Sequence, residues 1–191
     1  MRELLQRGYR ALFGPRMLYG WRHADGRWLA HTRISTAARI ECPERLDIAD
    51  HVYIGPFNLI DASGGLTLGE GVQVTTHCAL LTHSSHHAIR LAGRAYWHTD
   101  WGAADPAGFE RAATRIGAFS FIGAHSVVAP GSRIGRGVLV RAFSYVSGEV
   151  ADFAIVGGQP ARVMGDTREA DGQWLARHPE CRDDYSAWTN R

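Results

Sequence analysis

The sequence has few cysteines, little net charge and no long apolar run. Its three cysteines, Cys42, Cys78 and Cys181, are far apart and show no metal-finger spacing, which predicts no disulfide framework and fits a reducing cytoplasm. A net charge of +2 gives no reason to expect a nucleic-acid partner. No segment approaches the roughly 18 consecutive apolar residues of a membrane-spanning helix. The first residues also lack an apolar core of signal-peptide length, so we expect no leader.

The chain is 191 residues long and 45% hydrophobic, which predicts one globular domain with a sizeable core. Its clearest pattern is an aliphatic residue at every sixth position, which is neither a helix period nor a strand period. Glycine follows three of these residues directly, as expected at sharp turns. The aliphatic positions are Ile116, Ile122, Val128, Ile134, Val140 and Val146.

A six-residue unit of one short strand and one turn is too small to bury its own apolar residue, so the units must stack. If three units complete one triangular turn, residues 18 apart lie on top of one another. The pattern therefore predicts the stacks Ile116 over Ile134, Ile122 over Val140, and Val128 over Val146.

These repeats, together with the segment V-G-G-Q-P-A-R-V at 156–163, resemble the hexapeptide-repeat acyltransferases. The resemblance implies an all-β fold, a left-handed parallel β-helix with a long protruding loop and short terminal helices. The handedness comes from the family alone, because general rules favour right-handed crossovers. The family also implies a homotrimer with active sites between subunits.

The six-residue step begins at Ile34 and shifts register twice before residue 80, which indicates extra residues at corners, the second time at Gly64-Gly65. It disappears between Leu81 and Arg115, and long insertions of this kind are usually functional. The aromatic residues of this loop are expected to contact an adjacent subunit. We thus divide the domain into a helix and irregular lead-in, early coils, an active-site loop, late coils with a cofactor segment, and a helical tail, at 1–31, 32–80, 81–115, 116–165 and 166–191.

Short helices are expected at both ends. Residues 1–13 place four apolar side chains on one face, which predicts an amphipathic helix that covers the open coil or touches a membrane surface. Near the other end, Asp166 and Glu169 form a capping-box pattern. The helix that follows should stop near Pro179, and a second helical piece with Tyr185 and Trp188 is expected to close the far end of the coil.

The histidines at the start of the loop are the catalytic candidates. The segment H-S-S-H-H-A-I-R is similar to one in sugar O-acetyltransferases of the galactoside and maltose type, where the first histidine is the general base. That position is His83 here, and an imidazole suits proton removal from a sugar hydroxyl at neutral pH. The resemblance further implies acceptor contacts by Asn58 and Asp61. His86 is expected to line the acceptor pocket, and the loop that carries Trp97 and Trp101 is expected to wall the acceptor cleft beside His83.

The donor implied by the resemblance is acetyl-CoA, with its pantetheine arm along small residues and main chain. Phosphate attraction would come from arginine, since the family's lysine is replaced by Gly148. The cofactor-binding candidates are Gly123, Ala124, Ala142, Ser147, Gly158, Pro160, Arg162 and Arg168, with Arg141 as a further phosphate candidate.

The function expected from this resemblance is O-acetylation of a sugar or glycan hydroxyl in the cytoplasm, without a metal ion. The tail from Met164 is similar to enzymes of surface-polysaccharide assembly. The alternatives are an amino-sugar or xenobiotic acetyltransferase, a zinc protein similar to one class of carbonic anhydrases, and a trimeric scaffold without activity. For zinc, the chain offers several histidines but no pair at the five-residue step of that class.

Overall fold

The computed structural model describes residues 2, 3, 6, 14–100 and 105–190. The helix predicted over 1–13 falls largely outside these residues, and so does Trp101. Among the described residues, no helix is both long and apolar enough to cross a membrane. All three cysteines are free thiols, as expected.

Residues 14–31 are not the irregular lead-in that the sequence predicts. Two antiparallel strands, β1 (Met17–Arg22) and β2 (Trp28–Ser35), form a hairpin over most of this region. The turn contains Asp25-Gly26, and Gly26 has a φ of 92°, a conformation that favours glycine. The Asp-Gly pair is therefore the sequence signal for this hairpin, which lies outside the six-residue period.

Short strands separated by turns follow one another along the chain after the hairpin, interrupted by the long loop, which contains a helix. The early strands are β3 (Arg39–Glu41), β4 (Leu46–Ile48), β5 (Tyr53–Ile54), β6 (Leu59–Asp61), β7 (Leu66–Leu68), β8 (Gln73–Val74), β9 (Ala79–Leu80) and β10 (His83–Ser84). The loop holds helix α1 (Ala88–Ala92) and a 3₁₀ segment (Gly93–His98). The later strands are β11 (Glu110–Arg111), β12 (Thr114–Ile116), β13 (Phe121–Ile122), β14 (Val127–Val128), β15 (Arg133–Ile134), β16 (Leu139–Val140), β17 (Tyr145–Val146), β18 (Glu149–Val150), β19 (Ala154–Gly158) and β20 (Ala161–Asp166).

Apart from the pair β10 and β11, these strands form three sheets that the chain visits in rotation. Sheet A has the order β1-β2-β5-β8-β13-β16-β19-β20, sheet B the order β17-β14-β9-β6-β3, and sheet C the order β18-β15-β12-β7-β4. From β3 to β19 the neighbours within each sheet run parallel. Three faces visited in turn make a three-sided prism. Its left-handed winding stays a prediction.

The predicted stacks are confirmed. Ile116 pairs with Ile134, Ile122 with Val140, and Val128 with Val146, each in a parallel ladder. Five of these six side chains are at most 1% exposed and Ile134 is 4% exposed, so they form the core inside the prism. Burying an aliphatic side chain of this size is worth about 1.5–3 kcal/mol.

The two register shifts are also confirmed, and both lie at the corner between sheets B and C. Ile34 pairs with Ile54, and Ile54 with Val74, so the early turns contain 20 residues. The additional residues form a 3₁₀ segment at Pro43–Arg45 and the turn at 62–65. The long insertion leaves the prism at this same corner.

The C-terminal segment forms two helices, α2 (Thr167–Arg177) and α3 (Arg182–Thr189). The Asp166 side chain caps α2 by accepting a hydrogen bond from the Arg168 amide at 2.8 Å, and the helix ends before Pro179 as predicted. Trp188 packs on Phe119 and Phe153, with ring centroids 4.7 and 5.8 Å away. Because these two rings stand at the corner between sheets C and A, the helices lie along the side of the prism. The prediction that the second helical piece closes the end of the coil is wrong, because Trp188 of α3 packs at this corner.

Candidate functional site

The corner between sheets B and C, here called the base edge, consists of residues 42–45, 62–65 and 81–84 together with the returning strand 110–113. His83 opens β10, which pairs antiparallel with β11, so that His83 lies opposite Arg111. The amide of Ala112 donates to the Thr82 carbonyl at 2.9 Å, which closes the stem of the insertion. The loop therefore returns to its starting point beside the turn at 62–65.

The imidazole of His83 is held through one ring nitrogen. Its Nδ1 lies 2.8 Å from Oδ2 of Asp61 and 2.9 Å from Oγ of Ser63. An ionised carboxylate can only accept, so Nδ1 carries the proton and donates it. Within residues 14–100 and 105–190, nothing hydrogen-bonds Nε2, which keeps its lone pair. The Ser63 hydroxyl meets the same nitrogen as Asp61, so it is not placed as a nucleophile activated by His83.

Asp61 is the fixed point of this arrangement. It is 1% exposed, and its Oδ2 also accepts hydrogen bonds from the amide and the hydroxyl of Thr82, at 2.8 and 2.9 Å. Burial raises the pKa of its carboxyl, but hydrogen bonds from Ser63 and Thr82 outweigh that effect and hold the pKa well below its usual value. Asp61 is thus ionised at neutral pH. The acceptor contact expected for it is corrected to a role behind His83, because its oxygens face the protein.

Asn58 also differs from its expected role. Asn58 is 2% exposed and lies at the corner between sheets A and B. The amide nitrogen donates to the Gly55 carbonyl at 2.9 Å, and the amide oxygen accepts from the Cys78 amide at 2.7 Å. These bonds join two successive turns and leave no group for a sugar. Asn58 therefore stabilises a corner and does not contact the acceptor.

His86, His87 and Glu110 come together beside the base edge, with one potential ligand atom from each within 4.8 Å of the others. His86 Nδ1 bonds the Ser84 hydroxyl at 2.7 Å, and the Arg90 guanidinium lies 2.8 Å from His87 Nδ1. Arginine can only donate, so the neutral His87 ring carries its proton on Nε2, 3.4 Å from Glu110. A cation would have to displace that proton next to a guanidinium, which disfavours metal binding here.

The aromatic residues of the loop separate into two groups. Phe109 turns inward, and its ring stacks on the His83 imidazole with centroids 5.5 Å apart and an interplanar angle of 8°. Trp97 is 78% exposed and meets the edge of Tyr96. Of the side chains expected to reach a neighbouring subunit, Phe109 instead contacts its own chain. The acceptor contact of Trp97 stays a prediction.

The corner between sheets A and B, here called the cofactor edge, consists of residues 123–126, 141–144 and 157–160. Among the described residues, none accepts a hydrogen bond from the amides of Ala124 and Ala142, which lie one turn apart. Gly123 has a different role from the one expected. Its amide bonds Val140, and a Cβ atom there would meet the Ala142 nitrogen at 2.5 Å. Gly123 is therefore required by the close approach of two turns, and its amide is not available to a ligand.

Aromatic rings continue the cofactor edge from turn to turn. This stack was not among the features predicted from the sequence. Phe57, His77, His125 and Phe143 stack with centroids 4.8–5.0 Å apart, each at a φ between 55° and 61°. Their spacing of 18 or 20 residues on both sides of the insertion was the available signal. A groove of about 350 Å³ lies beside the last of them, lined by Arg141, Ala142, Phe143, Gly157, Gly158 and Met164.

The two arginines expected to bind phosphate differ. Arg162 is exposed, and no acidic side chain of the described residues forms an ion pair with it. Arg168 bonds both carboxylate oxygens of Asp166 and stacks on Phe153 at 4.8 Å. Its guanidinium is therefore already paired with the carboxylate that caps α2, and its phosphate contact stays a prediction. Exposed Gly158 and Pro160 lie on the cofactor edge, whereas exposed Ser147 lies one corner further along.

The base edge and the cofactor edge are two different corners of one chain. Sheet B lies between them, since Ala124 precedes β14 whereas His83 follows β9. A thioester on the cofactor edge would thus be separated by a whole face of the prism from the imidazole of the same chain. The candidate base and the candidate cofactor residues of one chain therefore do not form a single site.

Comparison with known proteins identifies the repeat. Residues 113–148 match the family model described as bacterial transferase hexapeptide (six repeats), which confirms the resemblance found in the sequence. No curated protein sequence matches the chain significantly.

Solved structures share the fold. A hexapeptide-repeat acetyltransferase from Vibrio cholerae, complexed with acetyl-CoA, has a TM-score of 0.54 and 22% identity, covering 68% of this chain and 64% of that one. A maltose O-acetyltransferase from Clostridium difficile has a TM-score of 0.51 and 18% identity, covering 69% and 64%. An N-acyltransferase from Bacillus cereus has a TM-score of 0.47 and 19% identity, covering 77% and 88%.

Proposed function

Because residues 113–148 carry the hexapeptide repeat of bacterial transferases, we propose that the chain is an acetyltransferase that uses acetyl-CoA. The acceptor is a hydroxyl of a sugar or glycan building block, and the product serves surface-polysaccharide assembly. The protein acts in the cytoplasm, where its three cysteine thiols would stay reduced. The observation that carries the proposal is His83, with Nδ1 held by buried Asp61 and Nε2 available to an acceptor.

His83 acts as the general base. Its Nε2 takes the proton of the acceptor hydroxyl while the oxygen attacks the thioester carbonyl, and Asp61 stabilises the imidazolium that forms. When the carbon–sulfur bond breaks, Nε2 returns the proton to the departing thiolate. The imidazole is thus restored at the end of each turnover, with the acetyl group on the acceptor oxygen.

The cofactor edge binds the donor. The unpaired amides of Ala124 and Ala142 are suited to the carbonyl groups of an extended pantetheine arm, and exposed Arg162 and Arg141 to phosphates. Ground-state binding of this kind positions the thioester and does no chemistry itself.

A homotrimer completes the site. Since sheet B separates the two edges within one chain, we propose that the base edge of one subunit faces the cofactor edge of its neighbour. A ring of three subunits then has three equivalent sites, each formed by two chains.

The test is turnover of acetyl-CoA by the purified protein against nucleotide sugars, oligosaccharides and amino sugars, with mass spectrometry and NMR to locate the acetyl group. Ester formation that His83→Ala abolishes is the expected result. An amide product would replace the proposal with N-acetylation. Failure to bind CoA would point to the scaffold alternative, and stoichiometric zinc to the metalloprotein alternative.

A further inference from the structure

We infer that Arg111, with Asp105 and Phe109, forms a clamp that positions the His83 imidazole; this inference rests on the proposed role of His83 as the base. This arrangement could not be predicted from the sequence, because these residues lie 22 to 28 positions after His83 in a segment without a period. The pairing of β10 with β11 brings Arg111 directly opposite His83.

A single guanidinium joins three parts of the base edge. Arg111 Nε and one terminal nitrogen each lie 2.8 Å from an Asp105 oxygen, which is the two-pronged geometry that arginine favours with carboxylates. The other terminal nitrogen donates to the Ser63 carbonyl at 2.9 Å. Arg45 donates to the same carbonyl at 2.6 Å. The returning strand, the loop and the Ser63 turn are thereby fixed to one another.

The clamp restrains the imidazole at one edge and one face. The Ser63 hydroxyl lies 2.9 Å from His83 Nδ1, so holding the Ser63 carbonyl also holds that contact. Phe109 covers a face of the imidazole, and the Arg111 guanidinium lies 5.2 Å from the Phe109 ring centroid. Gly64 permits this approach, because a Cβ atom there would lie 3.0 Å from Arg111 Cγ. None of these contacts occupies Nε2.

The charges around His83 make the clamp measurable. Two carboxylates, Asp61 and Asp105, and two guanidinium groups, Arg45 and Arg111, surround it. The hydrogen bonds from Arg111 lower the pKa of Asp105, so this pair is ionised at neutral pH. Without Arg111, the Asp105 carboxylate stands uncompensated near the imidazole and favours its protonated form. Without the Asp105 charge, the guanidinium is uncompensated and disfavours that form.

The experiment compares Arg111→Gln, Arg111→Lys and Asp105→Asn with the wild type, using Arg133→Gln on the exposed face of sheet C as the control. For Arg111→Gln we expect a loss of about ten- to a hundredfold in kcat, the range for a displaced catalytic group, with the KM for acetyl-CoA unchanged. The acid limb of the kcat/KM profile should move to higher pH for Arg111→Gln and to lower pH for Asp105→Asn. Arg111→Lys keeps the charge, so its acid limb should stay near that of the wild type.

A readout independent of activity separates this inference from the proposed function. In protein with labelled histidine, the His83 imidazole resonances, assigned with His83→Gln, should titrate at higher pH in Arg111→Gln and at lower pH in Asp105→Asn. Opposite shifts support the clamp even if no acetyl transfer is found. Unchanged titration in both variants, with thermal midpoints showing that they are folded, would overturn it.

Discussion

The early and late turns of the prism share the same strands and the same core, and differ at one corner. Early turns repeat after 20 residues, the late turns between Ile116 and Val146 after 18, and the last turn after 16. Every extra residue of the early turns lies between sheets B and C. There the chain places Asp61, Ser63 and His83. The regular turns instead present unpaired amides at the cofactor edge. In the proposed function, departures from the repeat thus supply the acid–base groups, and the repeat itself supplies the binding surface.

The largest expected effect is at the irregular corner. His83→Ala should lower kcat by about two to four orders of magnitude, the usual cost of losing a general base. The KM for acetyl-CoA should change little, since the imidazole serves the acceptor side. His31→Ala, which also removes a stacked imidazole, is the matched control and should keep wild-type turnover. Retention of more than about a tenth of wild-type turnover by His83→Ala, with chemistry rate-limiting, would exclude His83 as the base.

A smaller and different effect is expected at the regular turns. Arg162→Ala should raise the KM for acetyl-CoA by about ten- to a hundredfold, the value of a hydrogen-bonded charge, and leave kcat nearly unchanged. The reason is that a phosphate contact binds ground state and transition state equally. Steady-state kinetics with acetyl-CoA and its dephospho form provide the measurement, with Arg133→Ala as the control. An unchanged KM would place the phosphate site elsewhere.

The smallest expected effect is on stability and depends on pH. The native pKa of Asp61 is lowered, so its carboxylate stabilises the fold at neutral pH, and this contribution is lost as the pH falls below about 4 through the native pKa. Asp61→Asn should therefore lower the free energy of unfolding by about 1–3 kcal/mol at neutral pH, and the difference from wild type should narrow in acid. Denaturant titrations measure it.

The control for that titration is Asp47→Asn, which alters a carboxylate that is 65% exposed. Its effect should stay within about 0.5 kcal/mol at every pH. A difference between wild type and Asp61→Asn that widens in acid would contradict the assignment of Asp61 as a buried carboxylate anion.

The repeat can be predicted from the sequence because each six-residue unit has an aliphatic residue at its buried position. Ile116 and its successors are aliphatic wherever the turn faces the core, so the stacks could be read without coordinates. His83 was identifiable by resemblance. The partners of His83 were not identifiable. Asp61 and Ser63 contact it because turns about 20 residues apart stack on one another. In the sequence, a buried aspartate beside a turn cannot be distinguished from an exposed one.

Resemblance also misassigned residues whose types have two physical explanations. Gly123 and Asn58 match polar or small family positions, yet both are fully used in joining adjacent turns. Arg168 was expected to attract phosphate in place of the family's lysine, but its guanidinium is paired with Asp166 at the helix start. Only the packing of one turn on the next separates these roles.

The central claim is that the base edge and the cofactor edge act together across subunits, and hybrid trimers test it most directly. His83→Ala and Ala142→Trp each disable one edge, so each variant alone should be inactive. Co-expressed at equal levels with different tags and purified as mixed trimers, they should regain roughly a third of wild-type turnover, because a trimer containing both chains has one intact site of three. A mixture of His83→Ala with Asp61→Ala, which remove the imidazole and the carboxylate that holds it, should regain none. Mixed trimers no more active than their parents, or a monomer in light scattering that is fully active, would contradict the account.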